Sequence, residues 1–162
     1  YISNTMNEKS YKTLIPCNLY GSHDNYDENS SHMIPAVIDK IHKAMLNNGE
    51  IEIWGDGSAR REFMNASSFS DFVFYALENF NRMPQTLNVG LGQDYSILEY
   101  YTAIAKVIGY DSDFKYDLSK PVGMKQKLVD IENLENFGWK NKVSLDDGIK
   151  EAYKYYKESY GI

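Results

Sequence analysis

Short apolar runs of period two alternate along this chain with longer stretches in which apolar residues recur every three or four positions. A polypeptide patterned this way buries its hydrophobic faces most readily as helices laid on strands, so the expected fold class is α/β. Ile34, Val37, Ile38, Ile41 and Met45 predict an amphipathic helix over about 33–47. Ser68, with Asp71 three positions on, opens a second helix carrying Phe69, Phe72, Val73, Ala76, Leu77 and Phe80. Ser96 and Glu99 form a capping-box pair for a third, with Ile97, Tyr101, Ile104 and Ile108 inward and Gly109 as its stop. Asp130 opens a short helical turn that ends before Gly138. Ser144 and Asp147 open the last helix, whose inward residues are Leu145, Ile149, Ala152, Tyr153 and Tyr156. Between these, residues 13–21 read as a buried strand running into a turn, although Pro16 cannot donate to a ladder. A polar loop follows over 22–31, and further strands are expected at 50–54, 86–89 and 114–116.

Charge and cysteine content narrow the function classes. The net charge is −6, so there is no basic surplus to neutralise the phosphates of a nucleic acid, although a single pyrophosphate needs only two or three cations. One cysteine rules out an internal disulfide and fits a reducing, cytoplasmic setting. No apolar run is long enough for a membrane helix. The 14 tyrosines are expected chiefly at half-buried packing positions, where the hydroxyl reaches water. The chain begins mid-pattern without an initiator Met and stops two residues after a finished helix, which reads as a protein whose front is absent.

Generic motifs carry little here. Tyr116 and Lys120, and likewise Tyr153 and Lys157, have the Y-x-x-x-K spacing that sets the two side chains together on one helical turn. Tyr116 falls in a strand ahead of Pro121, and Tyr153 lies on the apolar face of the last helix, so both read as packing residues. Gly90-Leu91-Gly92 lacks the third glycine of a dinucleotide fingerprint. His23, His32 and His42 show no metal-ligand spacing, and no metal is expected.

Longer strings are specific. Pro16-Cys17-Asn18-Leu19-Tyr20-Gly21, Asp24-Asn25 and Ser31-His32-Met33-Ile34-Pro35-Ala36 resemble the P-T-N-L-Y-G, D-N and S-H-V-I-P-A blocks of GDP-L-fucose synthases, extended short-chain dehydrogenases. Trp54-Gly55-Asp56-Gly57 with Arg61-Glu62-Phe63 resembles W-G-x-G-x-x-x-R-E-F, and residues 88–92 resemble N-V-G-x-G. Ser119-Lys120-Pro121 with Gly123, then Lys127 and Asp130, resembles S-K-P-D-G-x-x-x-K-x-x-D, and Gly138-Trp139 with Ser144-Leu145 completes the series. The blocks keep the family's order from about residue 11 to the end.

The resemblance implies the C-terminal part of such an enzyme: residues 1–21 as a remnant of the Rossmann sheet, residues 22–162 as a mixed α/β substrate-binding domain, and an absent N-terminal half that holds most of the NADP. It implies a cytoplasmic homodimer acting on a GDP-4-keto-6-deoxy-hexose as 3,5-epimerase and 4-reductase, with this chain alone inactive. His32 corresponds to the family's active-site histidine, and an imidazole is suited to protonate an enolate near neutral pH. Pro16, Cys17, Asn18, Leu19 and His32 correspond to the wall of the nicotinamide site. Lys40, Trp54, Arg61 and Lys127 correspond to positions that hold the GDP moiety, where cations suit a pyrophosphate and an indole offers a flat face. The pattern is broken at Cys17 in place of Thr, at Ala66-Ser67-Ser68 in place of V-D-D, and at Val122 in place of a substrate-contacting Asp. Loss of that Asp leaves a GDP-4-keto-6-deoxy-heptose 4-reductase open as an alternative; a non-catalytic sugar-nucleotide-binding module is a separate one.

Overall fold

The computed structural model describes residues 11–27 and 30–161; the first ten residues of the expected Rossmann remnant, two of the polar loop and Ile162 lie outside the described residues. The strands are β1 (Thr13–Pro16), β2 (Asn18–Tyr20), β3 (Ile51–Trp54), β4 (Arg60–Arg61), β5 (Phe63–Asn65), β6 (Thr86–Val89), β7 (Tyr95–Ser96), β8 (Phe114–Asp117) and β9 (Gln126–Lys127). The helices are α1 (Met33–Asn47), α2 (Ala66–Glu78), α3 (Ile97–Ile108), α4 (Glu132–Phe137) and α5 (Leu145–Tyr160), with a 3₁₀ turn at Phe80–Arg82. The pairs β1 with β6, β2 with β5, β3 with β8 and β4 with β9 are parallel, which requires crossovers between partners and makes the architecture α/β.

The stretch 13–21 is not one buried strand. It changes partner at Cys17: residues 13–16 run beside β6, and residues 18–20 beside β5. Pro16 has no N–H to extend the first ladder, and the Cys17 N–H makes the closing bond to the Val89 carbonyl at 2.8 Å. β1 is also largely exposed, with Ile15 46% accessible. The ladder puts residues 86–89 in the same sheet as residues 13–16.

Two apolar clusters lie on either side of β5, because successive residues of a strand face opposite ways. Phe63 joins the cluster that α1, α3 and α5 form with β3, around Ile34, Ile38, Ile53, Tyr100, Ile104 and Ile149. Met64 joins a second, around Phe72, Leu87, Val89, Leu134, Phe137 and Trp139. Most helix termini follow the sequence. Ser96 and Glu99 make a complete capping box, Gly109 closes α3 in the left-handed region at φ 89°, and Ser144 accepts the Asp147 N–H. α2 differs: its cap is Asn65, whose side chain accepts from the Ser67 N–H, so the helix starts before Ser68. Ser68 is buried in the first turn instead, and Asp71 bonds the Trp139 indole at 3.0 Å.

Tyr153 and Lys157 are packing residues on α5. The Tyr153 hydroxyl meets His42 Nδ1 at 2.9 Å, and Lys157 Nζ lies 4.9 Å over its ring. His42 Nε2 is buried without a partner, beside Asp39, which accepts the Tyr156 hydroxyl and pairs with Lys43. Burial holds the His42 pKa below its ordinary value; Asp39 opposes that and Lys157 adds to it. The unfolded chain therefore takes up a proton at about pH 6.5 that the folded chain resists, and stability falls as pH drops through that value. Thermal melts from pH 8 to pH 5 are expected to show this loss, and His42→Gln to flatten it; an equal slope in both proteins rules His42 out as its source.

Candidate active site

β2, β5 and the start of α1 enclose a cleft of about 610 Å³, lined by Asn18, Leu19, His32, Met33, Arg61, Ile97 and Lys127 among others. A second cleft of about 630 Å³ adjoins it, lined by Lys40, Trp54, Tyr101, Pro121 and Val122. Met33 and Ile97 line both and form the wall between them. The structure thus gathers Asn18, Leu19, His32, Arg61 and Lys127 in one cleft, and places Lys40 and Trp54 in its neighbour.

His32 is the N-cap residue of α1 (φ −74°, ψ 170°), yet its side chain makes no capping bond. It is exposed at the cleft, so the imidazole is not the loop-tied helix-entry group that this position otherwise favours.

Arg61 and Lys127 arrive on strands only two residues long. β4 is the middle strand of a small sheet, antiparallel to β7 and parallel to β9, and Arg61 and Lys127 are register partners across the parallel edge. Register partners share a face of the sheet, so two cations stand side by side. Among the described residues neither has a carboxylate within ion-pair distance. Arg61 bonds the Arg60 and Met124 carbonyls at 2.7 and 2.6 Å, and Lys127 bonds Asn18 Oδ1 at 3.2 Å. Asn18 in turn donates to the Glu62 carbonyl at 2.8 Å, which aims its oxygen at Lys127. Arg60 is differently engaged: Asp94 and Glu99 neutralise it at 2.8 and 3.3 Å, so Arg61 alone of the pair serves the cleft.

In the second cleft, Lys40 donates to the Glu52 carbonyl, and desolvation lowers its pKa. Trp54 is 64% exposed, with Lys120 Nζ 5.4 Å over its ring. Val122, standing where the related pattern has Asp, packs on Gly55: a Cβ at that glycine would lie 2.9 Å from Val122 Cγ2.

Two of the expected cofactor residues lie elsewhere. Pro16 ends β1, outside both clefts. The Cys17 side chain belongs to the second apolar cluster, where burial and then the nearby Glu62 push its thiol up to about 12, and its N–H is taken by Val89. Asn18 and Leu19 line the first cleft, and Pro16 and Cys17 do not. Among the described residues no three His, Cys, Asp or Glu side chains cluster as metal ligands, and no helix is long and apolar enough to cross a membrane.

Sequence reasoning passed over Glu62. It is 1% exposed and its carboxylate accepts three backbone N–H groups, from Leu91 at 2.5 Å, Gly92 at 2.9 Å and Val129 at 3.0 Å. The signal was present: an ionisable residue directly ahead of the apolar pair Phe63-Met64 has to be buried with partners or excluded from the strand.

A sequence model of the NAD dependent epimerase/dehydratase family matches residues 2–90. The chain is 58% identical over 157 residues to the GDP-L-colitose synthase of Yersinia pseudotuberculosis, covering 96% of this chain and 51% of that protein. It is 52% identical over 148 residues to the GDP-L-fucose synthase of Azorhizobium caulinodans, covering 91% and 47%. The crystal structure of a GDP-6-OMe-4-keto-L-xylo-heptose reductase from C. jejuni superimposes with a TM-score of 0.85 at 28% identity, covering 98% of this chain and 57% of that one. The chain spans about half the length of the curated relatives it matches. With a cleft built from the blocks that it shares with GDP-L-fucose synthases, a parallel α/β frame and these relatives, the chain belongs to the NAD dependent epimerase/dehydratase family.

Proposed function

We propose that this chain is the sugar-nucleotide-binding half of an NADP-dependent GDP-4-keto-6-deoxy-hexose 3,5-epimerase and 4-reductase. The observation that carries it is the pair Arg61 and Lys127, side by side in one cleft without a counter-charge among the described residues and with His32 in the same cleft. Two adjacent, uncompensated cations repel, and an anion with two phosphates relieves that repulsion. The diphosphate lies on this pair. The guanine extends over Met33 and Ile97 toward Trp54 and Lys40, and the keto sugar points to His32. Deprotonation beside the 4-keto group gives an enolate, and the His32 imidazolium protonates that carbon from the opposite side and so inverts it. The resemblance assigns the base that removes the first proton to a cysteine outside this chain.

NADPH, when bound, supplies the hydride that reduces C4. Of this chain's residues, Asn18 and Leu19 fit the nicotinamide end of its site, since they line the cleft beside His32. The division that suits the strand pairing puts β1 and β6 with the Rossmann sheet and the clefts with the substrate-binding part. The complete enzyme works in the cytoplasm as a homodimer, and this half alone is without turnover.

Calorimetric titration of the chain with GDP tests the reading. Micromolar binding is expected, weakened at least tenfold by Arg61→Ala; a folded chain that does not bind GDP overturns it. Val122, where the related pattern has an Asp, favours a second reading, reduction of a GDP-4-keto-heptose without epimerisation. Two heptose-reductase structures, at TM-scores of 0.85 and 0.80, support the same reading. Solvent deuterium entering C3 and C5 of the complete enzyme's product supports the epimerase, and its absence supports the reductase.

A further inference from the structure

Like charges directly opposite each other on neighbouring strands push those strands apart, and β9 has little of its own to resist with. It is two residues long and lies in a segment, 118–128, in which every residue is exposed. The register pair one step earlier opposes the repulsion. Arg60 and Gln126 are also partners across β4 and β9, and both reach a single buried carboxylate. Arg60 Nε donates to Asp94 Oδ1 at 2.8 Å, and Gln126 Nε2 donates to Asp94 Oδ2 at 2.5 Å. A second guanidinium nitrogen donates to the Asp94 carbonyl at 2.8 Å. Asp94 is 8% exposed and lines neither of the two clefts. Alternate residues of a strand face opposite ways, so Arg60 and Gln126 point away from the cleft into which Arg61 and Lys127 point.

We propose that Asp94 is a positioning residue for the anion site: it grips the residues that precede Arg61 and Lys127 and thereby sets the spacing of the two cations. The inference rests on the reading of that pair as the diphosphate-binding element. Asp94 does two things at once. It holds β9 in register from behind the cleft through Gln126, and it keeps the Arg60 guanidinium on the far face of the sheet, so that Arg61 and Lys127 face the ligand. Gln126 carries the mechanical part alone, since it is uncharged.

The test compares the chain with Asp94→Asn, Gln126→Leu and the double variant, by calorimetric titration with GDP and with inorganic pyrophosphate. Each single variant is expected to weaken both ligands by the same factor, about tenfold, with the far-ultraviolet circular dichroism unchanged. The double variant is expected to lose no more than the weaker single, because both cut one link; independent structural damage would add instead. Equal loss for GDP and pyrophosphate places the defect at the phosphates. Wild-type affinity in both single variants, with binding abolished by Arg61→Ala, overturns the role of Asp94 and leaves the proposed function standing. Additive losses, or a loss confined to GDP, overturn it too. If Asp94→Asn does not fold, Gln126→Leu at its exposed site decides alone. A folded wild-type chain that binds neither ligand removes the functional reading, and the proposal with it.

Discussion

Exchanging His32 for Asn in the complete enzyme is expected to slow epimerisation by about two to four orders of magnitude, the usual worth of a positioned general acid, without lowering the melting temperature. The two effects separate because His32 occupies a structural position that it does not serve. It is the N-cap of a 15-residue helix, in extended backbone geometry, and its side chain caps nothing. Asn is among the best residues for that place: its carbonyl oxygen accepts an N–H of the first turn and contributes about 0.5–2 kcal/mol. A residue kept only to start α1 would be improved by the exchange. One kept for its proton would be ruined by it. Deuterium incorporation at C3 and C5, measured beside thermal melts of the same preparations, gives both numbers; epimerisation within a few-fold of wild type removes His32 from the chemistry.

How much of this could be read from the residues depends on how local the cause is. α1, α3 and α5 announce themselves because helix period and capping act within four residues: Ser96 with Glu99, Ser144 with Asp147, and Gly109 at a left-handed stop are all neighbours along the chain. The start of α2 was missed by the same logic, since Ser68 and Asp71 have capping-box spacing while Asn65, just upstream, does the capping. The break at Cys17 was not legible. It depends on β5 and β6 offering different edges to the two halves of one apolar run, which no local pattern records. The site is harder still. β4, β7 and β9 have two residues each, too short for any period, and the meeting of Arg61 with Lys127 is a long-range pairing. Only the family's ordered strings put these residues on one list, and even those strings left Trp54 and Lys40 undivided from the cations, where the wall of Met33 and Ile97 separates two clefts.

Glu62→Gln is expected to destabilise the chain by about 2–4 kcal/mol, a large part of the roughly 5–15 kcal/mol that holds a domain together. The carboxylate accepts from Leu91, Gly92 and Val129 and has no cation beside it among the described residues, so backbone dipoles alone stabilise its buried position. Gln keeps the shape and one acceptor oxygen, enough for the Leu91 and Gly92 N–H groups. Its amide nitrogen then faces the Val129 N–H, donor against donor, and leaves that group unsatisfied inside the protein. Glu62→Ala removes all three bonds and is expected to cost more. The fit is close on the other side as well: a Cβ at Gly90 would lie 2.5 Å from Glu62 Oε1 and 2.4 Å from Val129 Cγ2, so Gly90→Ala strains the same contact without touching the carboxylate. Because Val129 follows β9 by two residues, loosening it also frees the strand that carries Lys127, and GDP affinity is expected to fall with stability in Glu62→Gln. Chemical denaturation of the three variants checks the stability half and calorimetry the other. A loss under about 0.5 kcal/mol in Glu62→Gln would mean that water or a shifted loop can satisfy Val129 as well as the carboxylate does, and the strap behind the cations would then have to be held by Asp94 alone.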